Sequence, residues 1–199
     1  RYASLIEGID KSLGDLMTFF RSKGVDKNTI IIFMSDNGGL SLVPPRGGMA
    51  HTHNLPLKAG KGSVYEGGIR EPMIVKWPGI VKPGTKTGQY VIIEDFFSTI
   101  LEMAQIKKAE TVQTVDGFSF VPVLKNPGYA DTNRVLIWHY PHRWVNQEGP
   151  GINYFSAIRK GNWKLVYSMR TGKKELYNLN EDMGGDRRDP LCWSGRDPA

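Results

Sequence analysis

Apolar positions at the start of the chain recur at helical spacing. Leu5, Ile6, Ile9, Leu13, Leu16, Met17 and Phe20 fall three and four residues apart within residues 3–23. That stripe predicts an amphipathic helix, with Gly24 standing where a left-handed C-terminal cap belongs. Asp26-Lys27-Asn28 then reads as a turn, and Thr29-Ile30-Ile31-Ile32-Phe33-Met34 as a strand. An unbroken β-branched run of this kind suits a strand buried on both faces, as in a parallel sheet covered by helices. Helix, turn and strand together form one αβ unit of a layered α/β domain. Residues 38–62 form a long loop rich in Gly, Pro and His. Beyond it the pattern predicts a second strand at Met73-Ile74-Val75-Lys76-Trp77, stopped by Pro78-Gly79, and a short strand at Val91 to Ile93. A helix over residues 96–104 follows, with Asp95 as its cap.

The periodicity changes after Lys125. Asn126-Pro127-Gly128 opens a loop, followed by four short alternating segments: Val135 to Tyr140, Phe155 to Arg159, Trp163 to Tyr167 and Glu175 to Tyr177. Gly161-Asn162 and Thr171-Gly172 supply turns between the later ones, which predicts an antiparallel meander. The boundary between the two regimes falls near residues 125–133.

Composition narrows the function classes. A chain of 199 residues holds one domain or a little more. With 40% hydrophobic and 23% charged residues it is neither disordered, collagenous nor a disulfide scaffold. The apolar run from Ile30 to Met34 is far short of the ~20 residues needed to span a bilayer, so no membrane partner is expected. Cys192, the single cysteine, forms no internal disulfide and sits in a terminal stretch without apolar periodicity. The 26 Lys and Arg against 20 Asp and Glu leave a charge of +6, spread without basic runs interleaved with aromatics. That argues against a nucleic-acid partner and is compatible with an anionic substrate. The chain opens on Arg1-Tyr2 inside an apolar pattern, with no export signal, and reads as beginning partway through a longer protein.

Three groups of residues carry candidate chemistry. Asp36-Asn37-Gly38-Gly39 follows the predicted buried strand, at the carboxyl end where open α/β sheets place ligands. A carboxylate beside an amide oxygen offers hard donors for Ca²⁺ or Mg²⁺, although the same residues also make an ordinary turn. Two donors fall short of the roughly six to eight that calcium takes. Lys61, between Gly60 and Gly62, can present a compact positive charge to a tetrahedral oxyanion, or can belong to a plain exposed basic loop. The Walker spacing is not met there. Glu66 and Arg70, four residues apart, are read as an ion pair. Histidines fall in two places: His51 and His53 in the long loop, and His139 and His142 in Trp138-His139-Tyr140-Pro141-His142-Arg143. Each is either solvated or structural, or part of a substrate pocket. No Gly-x-Ser-x-Gly nucleophile motif occurs.

Ile32-Phe33-Met34-Ser35-Asp36-Asn37-Gly38-Gly39, followed by Gly60-Lys61-Gly62-Ser63-Val64-Tyr65-Glu66-Gly67-Gly68-Ile69-Arg70-Glu71-Pro72, resembles the type I sulfatase (arylsulfatase) family of the alkaline-phosphatase-like superfamily. The likeness extends through Ile6 to Gly14, Trp77-Pro78-Gly79, Asp95 to Leu101, Lys164-Leu165-Val166 and Glu175 to Leu179, about residues 1–180 in all. It implies an α/β fold: residues 1–125 as the C-terminal part of a layered catalytic domain, and residues 126–183 as a small antiparallel-sheet subdomain with a helix. Residues 184–199 read as an unstructured tail.

The same resemblance implies that Asp36 and Asn37 are calcium ligands and that Lys61 is a catalytic residue contacting the sulfate. It places His139 and His142 in the wall that binds the organic part of the substrate. The implied substrate is a sulfate ester, of a small molecule or a sulfated glycan, and the implied location is periplasmic or extracellular. The family's nucleophile, a formylglycine made from Cys or Ser, and its first Asp-Asp metal pair are expected upstream of Arg1, in a missing N-terminal part of the same enzyme. Two other readings are a phosphodiesterase or phosphonate hydrolase of the superfamily, and a catalytically silent binding module or remnant.

Overall fold

The computed structural model describes residues 2–40, 54–107, 109–146 and 148–184. His51, His53, Cys192 and the 185–199 tail lie outside the described residues. The chain divides into two units, residues 1–33 with 74–131 and residues 34–73 with 132–199.

In the first unit, helix α1 spans Tyr2–Ser22 as the stripe predicts. Gly24 ends it at φ +67°, and the Val25 N–H returns to the Phe20 carbonyl at 3.1 Å, a left-handed cap. The stripe itself is not covered by described residues. Leu13, Met17 and Phe20 are half-buried, whereas Leu5 and Ile6 remain 65% and 50% exposed. A short 3₁₀ turn at Asp26–Asn28 leads into β1, Ile31–Met34, which pairs with β2, Met73–Lys76. β1 is half-buried with Phe33 exposed, rather than buried on both faces. Two-sided burial needs helices on each face, and among the described residues these two strands make up the whole sheet.

Two further expectations are corrected in this unit. Val91 to Ile93 forms a turn into a helix, not a strand. That helix, α3, spans Asp95–Met103 with Glu94 at the cap position, so Asp95 is not its N-cap. The fully buried Asp95 carboxylate instead accepts the N–H groups of Ile92 at 2.9 Å and Phe118 at 3.0 Å, tying the helix start to a distant loop. Thr99 extends the tie by accepting the Phe120 N–H at 3.0 Å. Phe120 packs edge-on to Phe96, and helix α4, Val121–Lys125, begins with Pro122 in its first turn, where a missing N–H costs nothing.

The second unit holds the meander. β3 (Val135–Tyr140), β4 (Phe155–Lys160), β5 (Trp163–Ser168) and β6 (Lys174–Asn178) pair in sequence order, each antiparallel to the last. Gly161 and Gly172 turn the chain at positive φ. Strict alternation on β5 buries Lys164, Val166 and Ser168. Opposite them on β4 lie Arg159, Ala157 and Phe155. Val64 and Tyr65 pack against Ala157 and Val166, forming the core between the Lys61 loop and the sheet. Helix α2, Glu66–Ile69, lies at the end of that loop and was not evident from periodicity. After β6 no described residue is helical. No described helix is long and apolar enough to cross a membrane.

Candidate active site

The two glycine-rich motifs are knitted together by their backbones. The Gly39 carbonyl accepts the Lys61 N–H at 3.1 Å, and the Gly38 N–H donates to the Gly68 carbonyl at 3.2 Å. Asn54 bridges the same segments: its Oδ1 accepts the Gly39 N–H, and its Nδ2 donates to the Gly39 and Ala59 carbonyls, each at 3.0 Å. The approach is too close for side chains. A Cβ at Gly38 would overlap the Gly67 carbonyl, and one at Gly67 would overlap the Lys58 and Ala59 carbonyls. The glycines are therefore the condition for bringing residues 36–39 beside Lys61.

Helix α2 is anchored by a buried ionic triad. On the sheet, Arg159 and Lys164 stand directly opposite one another, a like-charge pairing that is unfavourable by itself. Glu66 resolves it. One carboxylate oxygen accepts from Arg159 and the other from Lys164, both at 2.8 Å, with all three side chains at most 6% exposed. Burial pushes the Lys164 ammonium down, only partly offset by Glu66, and the Trp138 ring lies 5.0 Å beneath it. The expected Glu66–Arg70 pair is thus replaced: Arg70 donates to the Met183 sulfur at 3.0 Å. Spacing of four on a helix suggested that partner, but the buried cations of the sheet are the stronger attraction.

A second network braces the other side of the Lys61 loop. Glu175 accepts hydrogen bonds from Tyr65 and from Tyr177, the latter at 2.8 Å, and pairs with Lys173 at 2.5 Å. Burial alone would raise its pKa, yet the bonds from Lys173, Tyr65 and Tyr177 outweigh that and bring it down to about 2. Lys58 lies over both tyrosine rings and donates to the Tyr177 hydroxyl at 3.1 Å.

Asp36, Asn37 and Lys61 therefore meet in one loop cluster of the second unit. Asp36 is exposed, and Asn37 and Lys61 are half-buried. None of the three side chains makes a hydrogen bond or ion pair with another described residue. Glu71 joins them: burial first and the charge of Asp36 second raise its pKa, and its Oε1 is buried without a hydrogen-bond partner among the described residues. Glu71 stands in the Gly60 to Pro72 motif, but spacing alone assigns it no role. The oxygen donors of Asp36 and Asn37 fit a hard cation as far as they go. Among the described residues, no group of three or more His, Cys, Asp and Glu side chains is placed to hold a metal ion.

His139 and His142 are both exposed. His139 Nδ1 lies 2.8 Å from the Ser156 hydroxyl, and His142 packs on the Tyr140 ring at 4.1 Å. No hydrogen bond or ring contact links either side chain to Asp36, Asn37 or Lys61 among the described residues. Trp144, two residues beyond His142, does reach the Lys61 loop, where its ring rests on Gly62. Hydrophobic periodicity gave no signal for that contact, because Trp144 lies in a loop.

The sulfatase family profile matches residues 1–106, and that of the N-sulphoglucosamine sulphohydrolase C-terminal region matches residues 59–186. A sulfatase from Formosa agariphila is 33% identical over 195 residues, covering 92% of this chain and 34% of its own. The N-acetylgalactosamine-6-sulfatase of Rattus norvegicus is 35% identical over 124 residues, covering 62% of this chain and 23% of its own. Among solved structures, Ps i-CgsB in complex with k-i-k-neocarrahexaose shares 30% identity at a TM-score of 0.71, covering 95% of this chain and 38% of that one. The chain spans roughly a third or less of the length of the relatives it matches. With both family profiles laid across the two knitted motifs and the meander, the chain belongs to the sulfatase family, of alkaline-phosphatase-like α/β fold.

Proposed function

We propose that this chain is the part of a sulfate-ester hydrolase that supplies a cationic sulfate contact, Lys61, and half of a metal site, Asp36 and Asn37. The observation that carries the reading is the Gly39–Lys61 backbone bond. It holds the Lys61 backbone against the segment that carries Asp36 and Asn37, and none of the three side chains is paired within the described residues. Calcium, held in part by Asp36 and Asn37, would screen the sulfate oxygens when bound. Lys61 binds a sulfate oxygen through its ammonium and supports the charge that grows as the S–O bond to the leaving alcohol breaks. The bond to Gly39 holds the Lys61 backbone, so the side chain starts from a fixed point during the reaction.

Residues 1–125 are read as completing a catalytic domain and residues 126–183 as its small antiparallel subdomain. The formylglycine nucleophile is assigned to the portion of the enzyme this chain does not span, which would also cover the open stripe of α1. A sulfated glycan is the proposed substrate, supported by the relative that is an N-acetylgalactosamine-6-sulfatase and by Ps i-CgsB with its neocarrahexaose. A periplasmic or extracellular location accords with that substrate.

The test is an assay of the full-length enzyme with 4-nitrocatechol sulfate and with sulfated mono- and disaccharides, alongside its calcium content. Sulfate release with about one bound calcium per chain is expected. Cleavage of a phosphate diester to its monoester and an alcohol, or release of phosphonate from its monoester, with no sulfate release would replace this reading by the phosphoesterase one.

A further inference from the structure

We propose that Trp144 is the stacking platform for the sugar ring that carries the sulfate ester, and that Gly62 seats it there. The proposal rests on the sulfatase reading above and names a recognition element for its substrate. Its first support is position. The Trp144 ring lies against Gly62 so closely that any Cβ at that position would enter the ring, and Gly62 follows Lys61 directly. Gly62 is also at φ +83°, a backbone conformation that side-chain-bearing residues seldom adopt. The aromatic surface is thereby held against the backbone position that follows Lys61, the residue assigned to the sulfate.

The second support is rigidity. Asn153, 1% exposed, accepts the N–H groups of Trp144 at 2.8 Å and Val145 at 3.3 Å, and donates to the Val145 carbonyl at 2.9 Å. Asn153 and Tyr154 both hold positive φ, at +64° and +59°, and the Tyr154 N–H donates to the His142 carbonyl at 3.3 Å. Strained backbone of this kind persists where the surroundings over-determine it, and it clusters at ligand clamps. The same loop is stitched to the Lys61 loop twice more, by Val64 N–H to the Gly151 carbonyl at 3.0 Å and by the Ser63 hydroxyl to the Pro150 carbonyl at 2.8 Å.

The third support is exposure. Despite this fastening, Trp144 remains 40% exposed among the described residues, and its indole N–H makes no hydrogen bond with another of them. A large aromatic held in place yet left open presents a flat apolar surface with a donor at its edge. A pyranose offers the complement, an apolar C–H face rimmed by hydroxyls. Arg143 and His142, both exposed, precede Trp144 in the chain, which suits a sugar bearing further anionic groups.

The experiment compares wild type, Trp144→Ala, Trp144→Phe and Gly62→Ala in the full-length enzyme. The readouts are KM for a sulfated disaccharide and the inhibition constant of inorganic sulfate, which engages the Lys61 contact without a sugar. Trp144→Ala is expected to raise KM about tenfold with sulfate inhibition unchanged, and Trp144→Phe to recover most of the loss. Gly62→Ala should displace the ring and raise KM as Trp144→Ala does. An unchanged KM for Trp144→Ala overturns the proposal. So does a parallel weakening of sugar and sulfate, which would make Trp144 a brace for the Lys61 loop. Wild-type enzyme that cleaves aryl sulfates but no sulfated sugar would also overturn it while leaving the sulfatase reading intact. Failure on every sulfate ester would remove both.

Discussion

Glu66 and Lys164 lie 98 residues apart in the chain and 2.8 Å apart in space, each at most 3% exposed. Arg159 shares the same carboxylate, so one anion from α2 bridges two cations that face each other across β4 and β5. Removing the anion strands both cations, whereas removing one cation leaves a satisfied pair. Glu66→Ala is therefore expected to cost about 3–5 kcal/mol, and Lys164→Met much less. Urea unfolding of the two variants in the full-length enzyme checks the order. Equal losses would show that the triad does not act through its shared carboxylate.

Lys61 has no anchoring partner among the described residues, so its removal should leave the fold alone and act on the chemistry. Lys61→Ala is expected to lower kcat by about 10²–10³ with an unchanged melting temperature. Asp36→Ala, by contrast, should lower the calcium content measured by elemental analysis. Full turnover in the first variant would remove Lys61 from the site, and full calcium occupancy in the second would remove Asp36.

The contact between the Asp36 and Lys61 motifs depends on glycine, which gives a sharp comparison. Gly38→Ala drives a methyl into the Gly67 carbonyl and should cost at least about 1–3 kcal/mol while parting the two motifs, so that activity falls with stability. Gly88→Ala, where a Cβ would meet nothing within 4 Å, serves as the control and should change neither. Thermal melts and turnover on both variants decide whether close backbone approach is what assembles the site.

Glu175 links stability to pH. Its native pKa of about 2 lies below the ordinary 4.5, so the unfolded chain binds more protons between those values. The stabilisation is present above about pH 4.5 and disappears as pH falls toward 2. Wild type should therefore be more stable than Glu175→Gln at pH 6, and the gap should close on acidification. A gap that stays constant from pH 6 to pH 2 would mean that the carboxylate's charge is not what Tyr65, Tyr177 and Lys173 stabilise.

Local patterns carried a large part of this molecule. The stripe from Leu5 to Phe20 defined α1, Gly24 ended it, and alternation with turn glycines defined the β3–β6 meander, because periodicity and φ preference act over a few residues. Asp36, Asn37 and Lys61 stood out for a similar reason: a run of glycines around a carboxylate, an amide and an ammonium is legible without knowing what lies nearby. Where the reading went astray, the deciding partner was distant. Asp95 answers to Phe118 rather than to its own helix, and Glu66 to Arg159 and Lys164 rather than to Arg70.

The sequence by itself thus determined α1, β1, β2, α3 and the β3–β6 meander, and which loops carry donors and cations. Only the tertiary structure decided that Gly39 meets Lys61, that Gly62 seats Trp144, and that Glu71 turns a buried oxygen toward no partner among the described residues. These are contacts between segments remote in sequence, selected by burial and charge compensation. No local spacing rule encodes the energy that makes them.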